Sequence, residues 1–250
     1  MKLEATNLTK SYHQHEVLNI PEVAFGAKGL EGLIGPNGAG KSTLMGLLTR
    51  RISPTSGKIQ LDTGDGVKAL NPLKSYEVAR IGLIKTNQRI QGFDSLTIRD
   101  SLRLAATPPS TEGLKSIFSK ERDSEEIEEQ VSHLIEAFPF TDRNGYARSG
   151  GEKKLVDILR CMIAKPKLLL MDEPTAGLPE DLTAKVKGAV RELAKNGTSV
   201  VIVEHDLDVI WDLCDEVTFM AEGEVLMKGD PDTIRSNPTV IESYLGAGSA

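Results

Sequence analysis

Gly35-Pro36-Asn37-Gly38-Ala39-Gly40-Lys41-Ser42-Thr43 follows the pattern G-x-x-x-x-G-K-[ST]. It comes directly after an apolar run, Leu30 to Ile34, that reads as a buried strand. Glycines in this spacing let the backbone curl so that successive N–H groups converge on an anion. A helix beginning near Lys41 adds the positive end of its dipole at the same point. In such a loop Lys41 reaches the β- and γ-phosphates of a nucleoside triphosphate and the Ser42 hydroxyl ligates Mg²⁺. The strand–loop–helix context makes a bound triphosphate, rather than a plain glycine turn, the expectation for the whole chain.

A second stretch supports it. Leu168-Leu169-Leu170-Met171-Asp172-Glu173 is an apolar strand ending in two carboxylates, the Walker B pattern, with acids delivered to the metal and phosphates at a strand's C-terminal end. Asp172 is the expected metal ligand and Glu173 the group that polarises the attacking water. A third apolar strand, Ser199 to Val203, delivers Glu204-His205-Asp206 to the same kind of position. His205 alone is equally compatible with an incidental surface histidine.

Around these signals the chain alternates strands and helices, which implies an α/β fold with a mainly parallel sheet. Residues 1–34 read as short strands (Lys2 to Leu8, Val17 to Ile20, Val23 to Phe25) before the strand into the phosphate loop. Tyr12 falls between the first two and fits either a half-buried loop residue or an adenine-stacking aromatic. Pro54 to Gly57 and Thr63 to Gly66 are turns, so the region up to about residue 80 reads as a β-rich edge. Ile81 to Lys85 is a further strand running into Gln88.

From Leu96 to Met162 the pattern becomes helical. Ile127, Val131, Leu134, Ile135 and Phe138 share one helix face. The acidic run Glu121 to Glu129 reads as a solvated face and His133 as a surface residue. Ser149-Gly150-Gly151 opens another amphipathic helix carrying Leu155, Ile158, Leu159 and Met162. That junction is an anion site or a plain loop, both open. Leu182, Val186, Val190 and Leu193 mark a helix stopped at Asn196-Gly197. A last helix begins at Asp230-Pro231, an N-cap with proline at N1.

The 250 residues carry a net charge of −6, with pI near 5.4, so no global attraction draws the chain to nucleic acid. Cys161 and Cys214 are too few and too far apart for a disulfide framework or a metal cluster, and a reducing, cytosolic setting fits. The start lacks a signal-peptide core and no stretch nears 18 apolar residues, so the chain is not expected to cross a membrane by itself.

Taken in order, Gly35 to Thr43, Gln88, Ser149 to Glu152, Leu168 to Glu173, Pro174-Thr175-Ala176-Gly177-Leu178 and His205 resemble the motifs of the nucleotide-binding subunit of ATP-binding-cassette (ABC) ATPases. The resemblance covers essentially the whole chain. It implies a P-loop NTPase (RecA-like) core with an N-terminal antiparallel β subdomain (1–89 and 166–250) and an inserted α-helical subdomain (90–165). It implies ATP and Mg²⁺ as ligands, with Glu173, His205, Gln88 and Lys41 catalytic and Ser42, Gln88 and Asp172 at the metal. Tyr12 looks like the adenine-stacking aromatic, and Gln88 like the glutamine that contacts Mg²⁺ and water and senses a transmembrane partner. Ser149, Gly150, Gly151 and Glu152 look like the signature that closes over the γ-phosphate held by a second subunit. His205 looks like the switch histidine.

Within the family, Gly82 to Leu102, Glu204 to Leu207 and Gly229 to Leu245 look most like the ATPases of branched-chain amino-acid and urea-type importers, close also to the lipopolysaccharide-export ATPase. That reading implies two transmembrane permease subunits, a second ABC ATPase subunit, a solute-binding protein, and a peripheral place on the cytoplasmic face of the inner membrane. The rival class is a soluble ABC ATPase, for example of iron–sulfur assembly. A regulator without turnover is disfavoured by the intact Glu173. The chain departs from the usual pattern at Arg148 (leucine is usual), Glu152 (glutamine), Pro179 (aspartate or asparagine) and Asn87 (an aromatic). The phosphate- and water-handling positions Lys41, Asp172, Glu173 and His205 remain. The departures lie on the surface offered to a partner's nucleotide, which suggests a non-identical partner and two unequal sites.

Overall fold

The computed structural model describes residues 1–27, 29–86, 96–106, 120–138, 145–147 and 149–246, with the backbone alone taken at 120–124, 245 and 246. β1 (Lys2–Tyr12) and β2 (His15–Phe25) form one antiparallel hairpin where the sequence suggests separate short pieces, and Tyr12 ends β1 instead of lying in a loop. Pro21 is tolerated because β2 is the outer strand of its sheet. The ladder steps from Thr6↔Glu22 to Leu8↔Ile20, passing Asn7 at φ 48°.

β3 (Leu30–Ile34) leads through the glycine loop into α1 (Lys41–Leu48). β4 (Ser56–Asp62) and β5 (Val67–Ala69) complete a four-stranded antiparallel sheet in the order β2-β1-β4-β5. The expected β-rich edge gives way at α2 (Ser75–Arg80), where the Glu77 carboxylate accepts the Lys74 N–H at 2.8 Å and caps a helical turn. β6 (Leu83–Lys85) follows.

The helical stretch contains α3 (Ile98–Ala106), α4 (Lys120–Ala137) and α5 (Gly150–Ile163). Val131, Ile135 and Phe138 are buried along the face the spacing indicated. In the acidic run Glu125, Glu126 and Glu129 are exposed, and Glu128 pairs at the surface with Arg99 and Arg103 of α3.

β7 (Leu168–Asp172), α6 (Glu180–Lys195), β8 (Ser199–Val203), α7 (Leu207–Leu213), β9 (Glu216–Ala221) and β10 (Glu224–Gly229) come next. The final helix is two, α8 (Pro231–Arg235) and α9 (Pro238–Gly246), because Pro238 cannot continue the first. The second sheet has six strands in the order β10-β9-β3-β8-β7-β6, parallel except where β10 meets β9.

β3, β7 and β8 are buried along their full length, as strands covered on both faces must be. Their alternate side chains feed two cores. Ile34, Leu169, Met171, Val200 and Ile202 join α5, α6 and α7 on one face. Leu33, Leu168, Leu170, Val201 and Val203 join α1 and the antiparallel sheet on the other. Leu44, Met45, Leu47 and Leu48 are fully enclosed in that second core, each contributing ~1.5–3 kcal/mol. The helix behind the glycine loop is thereby anchored.

Candidate functional site

Strand register brings the sequence signals to one edge. Val203 of β8 pairs with Leu33 on one side and Asp172 on the other. The residues that follow each strand, namely the glycine loop, Glu173 and Glu204-His205, therefore emerge together at the C-terminal edge of the sheet, where α/β folds bind ligands.

Gly35 opens the loop where no side chain fits, since a Cβ there would lie 2.0 Å from the Met220 carbonyl oxygen. Gly40 is the N-cap of α1 at φ 95°, with no side chain to accept the first amides of the helix. Those N–H groups have no intrahelical acceptor and open onto the loop, as an anion site requires. Lys41 is buried and its Nζ donates to the carbonyls of Gly35 (2.5 Å) and Pro36 (3.0 Å). Burial pushes its pKa down, while the carboxylates of Glu173 and Asp172 act to raise it. The cation and both acids thus share one electrostatic site.

Asp172 is buried; its N–H donates to Thr86 Oγ1 at 3.0 Å and its Oδ2 accepts from Lys85 Nζ at 2.8 Å. Glu173 takes a left-handed backbone, φ 50°, which costs a non-glycine residue ~1–3 kcal/mol. It is held there by its N–H to the Val203 carbonyl at 2.8 Å. The turn aims the carboxylate at His205, whose Nε2 lies 2.9 Å from Glu173 Oε1. The imidazole is 54% exposed and Glu173 22%, so the pair meets solvent at the mouth of the site.

A magnesium ion is implied by the motif, and the donors fit it. The Ser42 hydroxyl and the Asp172 carboxylate are hard oxygens, and Mg²⁺ uses one or two protein carboxylates beside phosphate oxygens and water. Among the described residues no group of three or more His, Cys, Asp or Glu side chains could hold a metal by itself. The arrangement suits an ion completed by phosphate oxygens.

The signature region sits apart as an exposed helix start. Ser149 is the N-cap of α5: its Oγ accepts the Glu152 N–H at 3.1 Å, and Glu152 Oε2 accepts the Ser149 N–H at 3.3 Å. Glu152 thus serves in a reciprocal capping box, which accounts locally for a carboxylate there. A Cβ at Gly150 would meet nothing within 4 Å, so the surface is open. Tyr12 is 46% exposed, with Lys10 Nζ 4.6 Å above its ring. Pro179 is the N-cap of α6 without a side-chain acceptor. Gln88, Asn87 and Arg148 lie outside the described residues.

Further residues at this edge have roles that the motifs by themselves do not indicate. Lys85 neutralises Asp172 from the neighbouring strand. Glu204 is buried and accepts from both the N–H and the Oγ1 of Thr175, each at 2.7 Å. Burial raises its pKa, opposed by those two bonds and by Lys154. Lys154, on α5, donates to the Ala176 carbonyl at 2.7 Å and ties the signature helix to the loop after the acids. Lys85 could have been noticed as a charge closing an apolar strand; the Thr175–Glu204 bond spans 29 positions and has no local trace.

Comparison with known proteins agrees with this geometry. Residues 19–176 match the ABC transporter family model, and residues 224–250 match a model described as branched-chain amino acid ATP-binding cassette transporter. BraF of Pseudomonas aeruginosa, a high-affinity branched-chain amino acid transport ATP-binding protein, is 31% identical over 98% of this chain and 97% of its own length. LivG of Salmonella typhimurium, of the same description, is 32% identical over 86% of each chain. A crystal structure of the ADP conformation of an ATP-binding cassette superposes with TM-score 0.76 at 29% identity, covering 98% of this chain and 99% of that one. The family model covers more than half of the chain and the relatives match it over most of their length, so the chain belongs to the ABC transporter family as one of its ATP-binding cassette ATPases.

Proposed function

We propose that the chain hydrolyses ATP to power import of branched-chain amino acids, or of a urea-like solute, through separate membrane subunits. The observation that carries this reading is the near full-length match to relatives named for branched-chain amino acid transport, continued by the C-terminal match at 224–250.

In the proposed reaction, water attacks the γ-phosphorus in line, the β–γ bridging bond breaks toward ADP, and Glu173 takes the water's proton. The fit of Glu173 to that role is its fixed backbone and its 2.9 Å contact with His205, which orients the carboxylate. Lys41 and the amides that open α1 meet the phosphate charge. Mg²⁺, held by Ser42, Asp172 and Gln88, would supply charge neutralisation at the phosphates. Tyr12 would stack on adenine. Ser149 to Glu152 would close over the nucleotide of a second cassette, so that turnover is gated by that closure.

The subdomain division, 1–89 with 166–250 against 90–165, is part of the same proposal. A groove of about 1070 Å³ between the antiparallel edge and the helical stretch, lined by Tyr76, Arg80, Ile84, Ala105, Ile127 and Ile163, suits docking helices of two permease subunits. No helix among the described residues is long and apolar enough to cross a membrane. A peripheral seat on the cytoplasmic face of such a pair is part of the same proposal, and its support is the match to relatives named as transport ATP-binding proteins. A solute-binding protein would complete the importer. The departures at Arg148 and Pro179 favour a second, non-identical ATPase as partner.

Purification of the tagged chain from its host in mild detergent tests the assembly. We expect two permeases and another cassette to accompany it, and recovery with soluble partners alone would overturn the reading. Equal turnover at both sites of a homodimer with full transport would remove the non-identical partner. Lys41→Ala should weaken ATP binding roughly ten- to hundredfold, measured with a fluorescent ATP analogue.

A further inference from the structure

β3 leaves its ladder at Ile34, which pairs with Phe219 of β9. The next amide, Gly35 N–H, lies one residue past the last registered pair and would be an orphan donor at the base of the phosphate loop. It is satisfied from far along the chain, by the Tyr244 hydroxyl of α9, which accepts it at 2.8 Å across 209 positions. The tyrosine is itself fixed, because its ring packs against Phe219 with centroids 6.4 Å apart and planes tilted 43°. Burial raises the Tyr244 pKa, the Gly35 amide opposing it, so the hydroxyl stays neutral at physiological pH.

Gly35 is bound on all sides. The Met220 carbonyl and Ala39 close off the space where a side chain would be, Tyr244 takes the N–H, and Lys41 Nζ donates to the C=O. A single residue therefore stands between the terminal helix and the lysine that meets the phosphates. The bond to α9 thereby holds Gly35, and with it the acceptor of Lys41, in the geometry the loop offers to a nucleotide. This argument rests on the reading of residues 35–43 as the phosphate loop.

We infer that Tyr244 is a positioning residue for the phosphate loop, and that through its bond to Gly35 helix α9 is energetically coupled to nucleotide binding. The coupling is reciprocal: whatever the docked helix adds to ATP affinity, ATP adds to the docking of the helix.

Tyr244→Phe removes the hydroxyl and keeps the ring against Phe219. In the full-length protein we expect the Kd for a fluorescent ATP analogue and the KM for ATP to rise roughly three- to tenfold, the worth of one neutral hydrogen bond, with kcat within twofold. A residue that only stabilised the fold would move the melting temperature and leave Kd at saturation of folded protein unchanged. Independently of any variant, amide hydrogen exchange in residues 238–246 of the wild type should slow on adding the analogue, and this slowing should be absent in Tyr244→Phe. Unchanged Kd in the variant, or unchanged exchange of α9 in the wild type, would overturn the coupling. Failure of the wild type to bind the analogue would instead overturn the phosphate-loop reading, and the inference with it.

Discussion

The nucleotide edge of the parallel sheet and the helical stretch α3–α5 hold their charges in opposite ways. At the edge, Asp172 and Glu204 are buried and each has its own donor, Lys85 for one and Thr175 for the other. In the helical stretch, Glu128 meets Arg99 and Arg103 in the open, with Arg103 at 46% and Glu128 at 36% side-chain exposure. Buried pairs are rigid and intolerant of losing one member, whereas exposed pairs adapt and contribute little. One region is built to hold a reaction geometry fixed. The other leaves its charges where solvent and salt reach them.

The sharpest way to break the edge is at its chemistry. Glu173→Gln keeps size and shape but removes the proton acceptor. Phosphate release should fall about 10²- to 10⁴-fold while analogue binding stays within a few fold. A variant that still turned over normally would take Glu173 out of the reaction.

Lys85→Met comes next. It leaves the Asp172 carboxylate buried without its cation, at a cost of about 3–5 kcal/mol, which in a chain of this size lowers Tm on the order of 10 °C. Adding Asp172→Asn should recover much of that loss, and a double-mutant cycle measures the coupling. Additive losses would show that the ion pair does not organise the edge.

These two tests also mark how far the sequence alone reaches. The phosphate loop, Asp172, Glu173 and His205 are legible because each sits in a local pattern, glycine spacing or an apolar strand with a polar end. The alternating cores follow from the same runs. Lys85 and Asp172 are 87 positions apart, and only the pairing of β6 with β7 makes them neighbours. Gly35 and Tyr244 are more distant still. The hairpin of β1 and β2 is misread as fragments because Pro21 resembles a break, and only a strand's place at a sheet edge lifts that objection. What the sequence hides is contact made through strand order, which no local window contains.

Glu204 offers a milder probe. Burial raises its pKa, so between the ordinary carboxylate value and the raised one the folded state keeps a proton that the unfolded chain has released. Stability must therefore fall as pH rises through that window, and the cost is fully present above it. Glu204→Gln keeps an acceptor for Thr175 and removes the titration. Urea unfolding at a series of pH values should show a flatter profile for the variant, with stability at neutral pH changed by no more than about 1–2 kcal/mol as weaker hydrogen bonds offset relief of the buried charge. An unaltered slope would place the pH dependence elsewhere.

The smallest effect belongs to the other side of the comparison. Arg103 reaches Glu128 with its Nε at 2.6 Å and Asp100 at 3.5 Å, a geometry that would be costly to lose in a buried setting. Here its side chain is 46% exposed, solvent competes for every bond, and ordering two long side chains offsets the attraction. Arg103→Ala should cost only ~0.2–1 kcal/mol, a Tm shift of at most a few degrees. Raising the salt concentration shortens the screening length to a few ångströms, so the difference between variant and wild type should shrink at 1 M salt, while that of Lys85→Met, enclosed from ions, should persist. If the Arg103 variant lost as much as the Lys85 variant, or if both differences faded alike with salt, the helical stretch and the sheet edge would hold their charges alike, and the contrast between solvent-exposed and enclosed pairs would not stand.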